Sequence, residues 1–132
     1  MAVDTLVYSL IQVVHNLNAA LLVAMPASWL WHRPTDPPSS ATAVTLVALW
    51  AIQGLTGAAF GGASLGFYGA LPDLHAAGRA ALAVKMGCVV AAIAWCVALL
   101  IGWKPAARAS WIVPAALAGV ALSAAAVLRW AS

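Results

Sequence analysis

The sequence predicts an all-α integral membrane protein, a four-helix bundle with antiparallel neighbours and both termini on one face. Of its 132 residues, 65% are hydrophobic and only 7% are charged, whereas a soluble domain carries roughly 25% charged residues. The apolar residues fall into four long, continuous runs, each near the roughly 20 residues that a helix needs to cross a hydrocarbon core about 30 Å thick. A transmembrane barrel would instead show short alternating segments of about ten residues. Six Lys+Arg and three Asp+Glu cannot cover a water-facing surface of this size, so the solvent is a lipid bilayer. That excludes a soluble enzyme, a nucleic-acid-binding domain and a disordered tail. The net charge of +3 is spread over scattered positions and reads as membrane topology, with no nucleic-acid partner.

The chain forms a single transmembrane domain over residues 1–132. Its first run spans about 5–31, interrupted by Gln12, His15, Asn16 and Asn18, with a kink expected at Pro26. No basic segment precedes it, so it reads as a spanning helix and not as a signal peptide. A loop follows from His32 to Ser40, because Pro34, Pro37, Pro38 and Asp36 cannot continue a helix. The second run covers about 41–65, and a connection runs from Phe67 to Asp73. The third covers about 78–103, Lys104 to Arg108 connects, and the fourth covers about 110–130. Short connections make neighbours antiparallel. The face carrying the termini then holds Asp4, Asp73, Arg79 and Arg129, and the other holds Arg33, Asp36, Lys104 and Arg108. Three basic residues against two predict that the second face is cytoplasmic and the termini lie outside, in a bacterial-type inner membrane. Trp29, Trp31, Trp103 and Trp111 at one face, with Tyr8, Tyr68 and Trp130 at the other, fit aromatic belts.

Helices in lipid associate through close packing, not through the hydrophobic effect. Gly54, Gly57, Gly61 and Gly62 on the second helix, and Gly119 and Ser123 on the fourth, are the small residues for it. Gly54 and Gly57 have a second reading, in which they clear room for a flat cofactor such as a porphyrin.

Polar side chains at membrane depth are the informative ones, since an ionisable group there costs roughly 3 kcal/mol or more. Gln12, His15, Asn18, Leu22 and Met25 follow a three/four spacing, which predicts one stripe turned toward other helices. Counting about 1.5 Å per residue puts His15 roughly 14 Å below the terminal face. The same count brings Gln53, Met86 and Cys88 to that level, with Lys85 one turn nearer the terminal face. Gln12, Asn18 and Gln53 are then the supporting polar groups. The cluster reads either as an interhelical hydrogen-bond network or as a site in which His15 ligates a metal or a haem iron. Neutral imidazole suits copper, iron or zinc, and sulfur from Met86, Cys88 or Met25 would favour Cu(I). Cys88 and Cys96 lie about 12 Å apart along one helix and cannot chelate one ion together; Cys96 reads as a small buried hydrophobe. His75 lies too far from the His15 level to share a haem with it, and His32 reads as a solvated loop residue. Lys85 has three readings: it snorkels to the terminal face, pairs with an acid, or holds an anion such as a haem propionate together with Arg79.

Three segments resemble the CopD family of copper-resistance membrane proteins. Gly78-Arg79-Ala80-Ala81-Leu82-Ala83-Val84-Lys85-Met86 is similar to that family's Gly-Arg…Lys helix opening. Val14-His15-Asn16-Leu17-Asn18-Ala19-Ala20 resembles its first-helix His followed by small residues, and Gln53-Gly54-Leu55-Thr56-Gly57 its Thr-Gly helix. The resemblance covers about three quarters of the chain. It implies an inner-membrane protein linked to copper movement, with His15, Arg79 and Lys85 as family-type residues; a related group of membrane proteins binds haem b. The chain departs in having Ala77 where an aromatic precedes Gly-Arg, and Val23-Ala24-Met25 where Trp-x-Gly follows the His. Its shortness points to a homodimer or a subunit of a larger membrane complex.

The leading expectation is a copper-handling protein with a transient intramembrane Cu(I) site at His15, Met86, Cys88 and Met25. One alternative is a haem b subunit exchanging electrons with quinone, with His15 as axial ligand, Gly54 and Gly57 clearing the ring and Arg79 or Lys85 meeting propionates. A second alternative is an accessory subunit without chemistry. No acid/base pair, nucleophile triad, phosphate loop or zinc spacing is present, so the chain is not expected to be an enzyme on its own.

Overall fold

The computed structural model describes residues 2–130, so the extreme ends of the domain expected over 1–132 lie outside the described residues. Four helices make up the chain: α1 (Val3–His32), α2 (Ser40–Tyr68), α3 (Ala76–Leu100) and α4 (Ala107–Trp130). Each is long and apolar enough to cross a membrane, and the protein is a multi-pass, all-α membrane bundle. The helices form a closed ring in which α1 packs on α2, α2 on α3, α3 on α4 and α4 back on α1. Across either diagonal the backbones stay apart, so only long side chains meet at the centre.

Local sequence sets the ends of these helices. Ser39 caps α2 by accepting the backbone N–H of Thr42 at 3.1 Å, a favoured N-cap arrangement. The second helix runs three residues beyond its predicted end and stops at Gly69, whose φ of 69° is the left-handed C-cap conformation that glycine adopts without strain. The third helix stops at Leu100, short of the expected Trp103, because the chain turns at Gly102 with φ 100°. Pro26 sits buried inside α1 without ending it.

Contacts at the two ends confirm the up-and-down arrangement. The Tyr68 hydroxyl, at the end of α2, donates to Asp4 Oδ2, at the start of α1, at 2.8 Å. The Trp111 indole N–H, near the start of α4, donates to the Asp36 carbonyl in the first loop at 2.7 Å. Both termini therefore lie at one end, as expected. Trp29 stacks on Trp111 with ring centroids 5.3 Å apart, and the Arg33 guanidinium lies over Trp29 at 5.6 Å. At the terminal end Tyr8 stacks between Phe60 and Tyr68.

Two apolar clusters fill the interior. One joins Leu22, Trp50, Cys88, Val89, Ala92 and Ala118; the other joins Leu46, Cys96 and Trp111 nearer the Trp29 end. Large apolar residues face outward on every helix, among them Leu17, Leu55, Val90 and Leu122, as lipid requires. A Cβ on Gly54 would lie 3.3 Å from Val89 Cγ1, so this glycine lets α2 and α3 approach closely. Gly62 has nothing within 4 Å of the same position.

Gly54→Leu should overpack the α2–α3 contact and lower stability by about 1–3 kcal/mol. Gly62→Ala should leave stability unchanged or raise it by up to about 1 kcal/mol. Reversible unfolding in mixed detergent micelles, followed by helix content, measures both.

Candidate functional site at the bundle centre

The interior of α1 presents His15 and Asn18, three residues apart and both buried. Opposite them α2 presents Gln53 and Thr56, at the same spacing, and α3 sends Lys85 across the diagonal. The five side chains form one hydrogen-bonded network. Asn18 Nδ2 donates to the Leu49 carbonyl at 2.8 Å and to Gln53 Oε1 at 2.7 Å. The amide nitrogen of Gln53 lies 2.9 Å from His15 Nε2. On the other side of the ring, His15 Nδ1 lies 2.8 Å from Thr56 Oγ1. Lys85 Nζ reaches the same Nε2 at 2.9 Å.

Bond directions fix the imidazole tautomer. Thr56 has one hydroxyl proton, which it donates to the Ile52 carbonyl at 2.7 Å. Its oxygen must then accept, so Nδ1 of His15 carries the ring proton. Nε2 is left as an acceptor, with the Gln53 amide and the Lys85 amine both donating to it. Asn18, Gln53, His15, Thr56 and the Ile52 carbonyl thus form a relay in which each group donates to the next. A ring held this way is neutral and oriented, and its one lone pair is in use.

The imidazole lies over Gly57, where an added Cβ would make ordinary contact with His15 Cε1 at 3.7 Å. Phe60 packs edge-on to the imidazole at a centroid distance of 5.7 Å. The space above Gly54 and Gly57, suggested for a flat cofactor, is therefore taken by Val89 and by His15 itself. Beside the network lies a cavity of about 60 Å³. His15, Gln53, Lys85 and Trp50 form its inner wall, and Asn16 of α1 and Leu122 of α4 line it as well. Asn16 and Leu122 are exposed, so the cavity opens between α1 and α4 toward the bilayer.

The sequence-predicted residues divide clearly. His15, Asn18, Gln53 and Lys85 come together. Lys85 turns inward to His15, which corrects the snorkelling reading, and it pairs with no acid. The residue at the His15 level on α3 is Lys85 and not Met86, whose side chain is 41% exposed on the outer surface. Met25 packs against the second apolar cluster, and Cys88 lies in the first, sharing Leu22 and Trp50 with the cavity wall. Gln12 is exposed and donates to Asn16 Oδ1 at 3.3 Å, so it stands outside the stripe expected to face inward. Arg79 donates to the Leu74 carbonyl at the start of α3 and does not share a partner with Lys85. Cys96 is fully buried, His75 is exposed ahead of α3, and His32 stays at the end of α1, with Nδ1 2.9 Å from the Ser28 carbonyl. Among the described residues no group of three or more His, Cys, Asp or Glu is placed to hold a metal ion. Thr56 and Trp50 are the site residues that sequence reasoning missed. The spacing of Gln53, Thr56 and Phe60 along one face of α2 carried a signal for the first.

No protein-family model, curated protein or solved structure matches the chain.

Thr56→Val keeps the shape but removes the acceptor for His15 Nδ1–H, which should cost about 1–3 kcal/mol. Nitrogen NMR of labelled imidazole should show the Nδ1–H tautomer in the wild-type chain. In Thr56→Val that signal should shift or broaden as the tautomer becomes mixed.

Proposed function

We propose that the protein handles copper within the membrane, as a CopD-like inner-membrane component. In this reading the imidazole of His15 is the first contact for Cu(I). The observation that carries it is convergence. The three segments that resemble the CopD family lie on three different helices, and His15, Gln53 with Thr56, and Lys85 from those segments meet around one imidazole.

Chemistry supports a transient site. Nε2 is an unprotonated nitrogen of the kind that Cu(I) accepts, and the relay from Asn18 to Thr56 holds the ring in the tautomer that leaves it free of a proton. Lys85 and Gln53 occupy that lone pair at rest, so an arriving ion must displace them. Sulfur would have to come from Cys88, which packs in the apolar cluster behind Leu22 and Trp50 of the cavity wall, since Met86 is exposed and Met25 packs against the other cluster. One imidazole and one thiol make a site that releases its cargo readily, as transfer requires. A cavity of about 60 Å³ has room for a single ion with its water, since one water needs only about 10–15 Å³ of such space. A haem b fits this space poorly, and the haem reading has neither Gly54 nor Gly57 free to receive the ring.

The chain would work without catalysis of its own, as a homodimer or as a subunit of a larger membrane complex. The three-to-two basic asymmetry supports termini outside a bacterial-type inner membrane.

Loading the purified protein with Cu(I) and measuring metal by mass spectrometry tests the reading. About one copper per chain should be retained, with loss in His15→Ala, a several-fold reduction in Cys88→Ser and full retention in Lys85→Met. Copper retained equally by His15→Ala would overturn it, and a Soret band in the protein as isolated would favour haem b instead.

A further inference from the structure

The cavity beside His15 is lined by hydrogen-bond donors that the chain does not use up. Lys85 spends one N–H on His15 Nε2 and has two more. Trp50 forms part of the same wall, but its indole N–H is closed off by packing and does not reach the cavity. Asn16 accepts from Gln12 through Oδ1, which leaves its amide N–H groups for the rim.

Charge points the same way. Among the described residues the acids are Asp4, Asp36 and Asp73. Asp4 is taken by Tyr68 at the terminal end, Asp36 pairs with Arg33 at 3.6 Å in the first loop, and Asp73 lies exposed between α2 and α3. None reaches Lys85, whose only hydrogen-bond partner among the described residues is a neutral imidazole. A cation at membrane depth is normally matched by an opposite charge. Among the described residues no acid supplies that match, and the imidazole that Lys85 meets carries no charge to offset it.

The opening selects the carrier. It lies between α1 and α4, with exposed Leu122 on its lip, and leads to acyl chains, so the anion arrives attached to an apolar chain. A cavity of about 60 Å³ admits a head the size of a carboxylate, whereas a phospholipid headgroup is far larger. We propose that this cavity binds the carboxylate of a single-chain amphiphile of the fatty-acid class. Lys85 donates to its oxygens, and the hydrocarbon tail leaves between α1 and α4. The proposal does not depend on copper, although it uses the same lysine.

The test measures binding of radiolabelled oleate, methyl oleate and a short-chain quinone to the full-length protein in nanodiscs of zwitterionic lipid. Oleate should bind saturably, at about one per chain, and at least about tenfold more tightly than methyl oleate, which lacks the charge. Lys85→Met should lower oleate affinity by about tenfold or more; the assay contains no copper and the copper reading is tested separately in His15→Ala, so failure of this proposal and failure of the copper reading are separable. Leu122→Trp narrows the mouth without touching the network and should also abolish oleate binding, should Lys85→Met fail to fold. Equal binding of oleate and methyl oleate, or oleate binding indifferent to both substitutions, would overturn the proposal. Lys85-dependent binding of the quinone without binding of oleate would overturn it as well, by showing that a carbonyl is recognised where an anion is claimed.

Discussion

A lysine placed inside a membrane bundle has to find a partner from within the protein, and in this chain the partner is a single imidazole nitrogen. Lys85 Nζ sits 2.9 Å from His15 Nε2, across a diagonal that the helix backbones do not bridge. The rest of the centre follows from making that nitrogen available. Nε2 accepts only if the ring proton is on Nδ1, and Nδ1 holds it only while Thr56 accepts. Thr56 accepts because its own proton is committed to the Ile52 carbonyl, a bond within the same helix. A local property of α2 thus sets the chemical state of a residue on α1 and the position of a residue on α3.

Packing makes this geometry possible. Side chains must span the centre of a ring of four helices, which demands close approach of the walls. Gly54 leaves room for Val89 and so brings α3 close to α2, whereas a Cβ at Gly57 would only touch the imidazole at ordinary contact distance. The ends are held by polar contacts where water and headgroups allow them: Tyr68 to Asp4 at one face, Trp111 to the first loop at the other. Apolar clusters between the centre and the Trp29 end carry no ionisable side chain apart from Cys88 and Cys96, and the polar network is confined to one layer.

Most of the fold was legible, because length and hydropathy of a spanning segment are properties of composition alone. Helix ends shifted by a few residues where glycines at 69 and 102 dictated the stop. The candidate site was legible in height but not in rotation. Counting residues placed His15 and Gln53 in one layer, yet it chose Met86 over Lys85 on α3. Those two neighbours differ by about 100° around the helix, and α3 is so uniformly apolar that no pattern marks its inner face. The stripe on α1 failed for a related reason. Gln12 and Asn18 are six residues apart, hence about 120° apart in rotation, so a helix that buries Asn18 turns Gln12 outward.

The same geometry is what sets this centre apart from a purely structural network and motivates the proposal of a ligand. A closed polar cluster in lipid satisfies every donor and acceptor it buries. This one leaves Asn18 Oδ1 and the Trp50 N–H unmatched, brings two donors to one lone pair, and holds a cation with no carboxylate opposite it. Lys85 and His15 line a cavity that opens between α1 and α4, the one packed helix pair without a connecting loop. A network evolved only to lock four helices together would gain by replacing Lys85 with methionine and closing the gap with larger side chains than Ala118 and Ala121. Keeping both the charge and the opening costs stability, and under the proposed copper reading the return on that cost is an exchangeable contact at His15 Nε2.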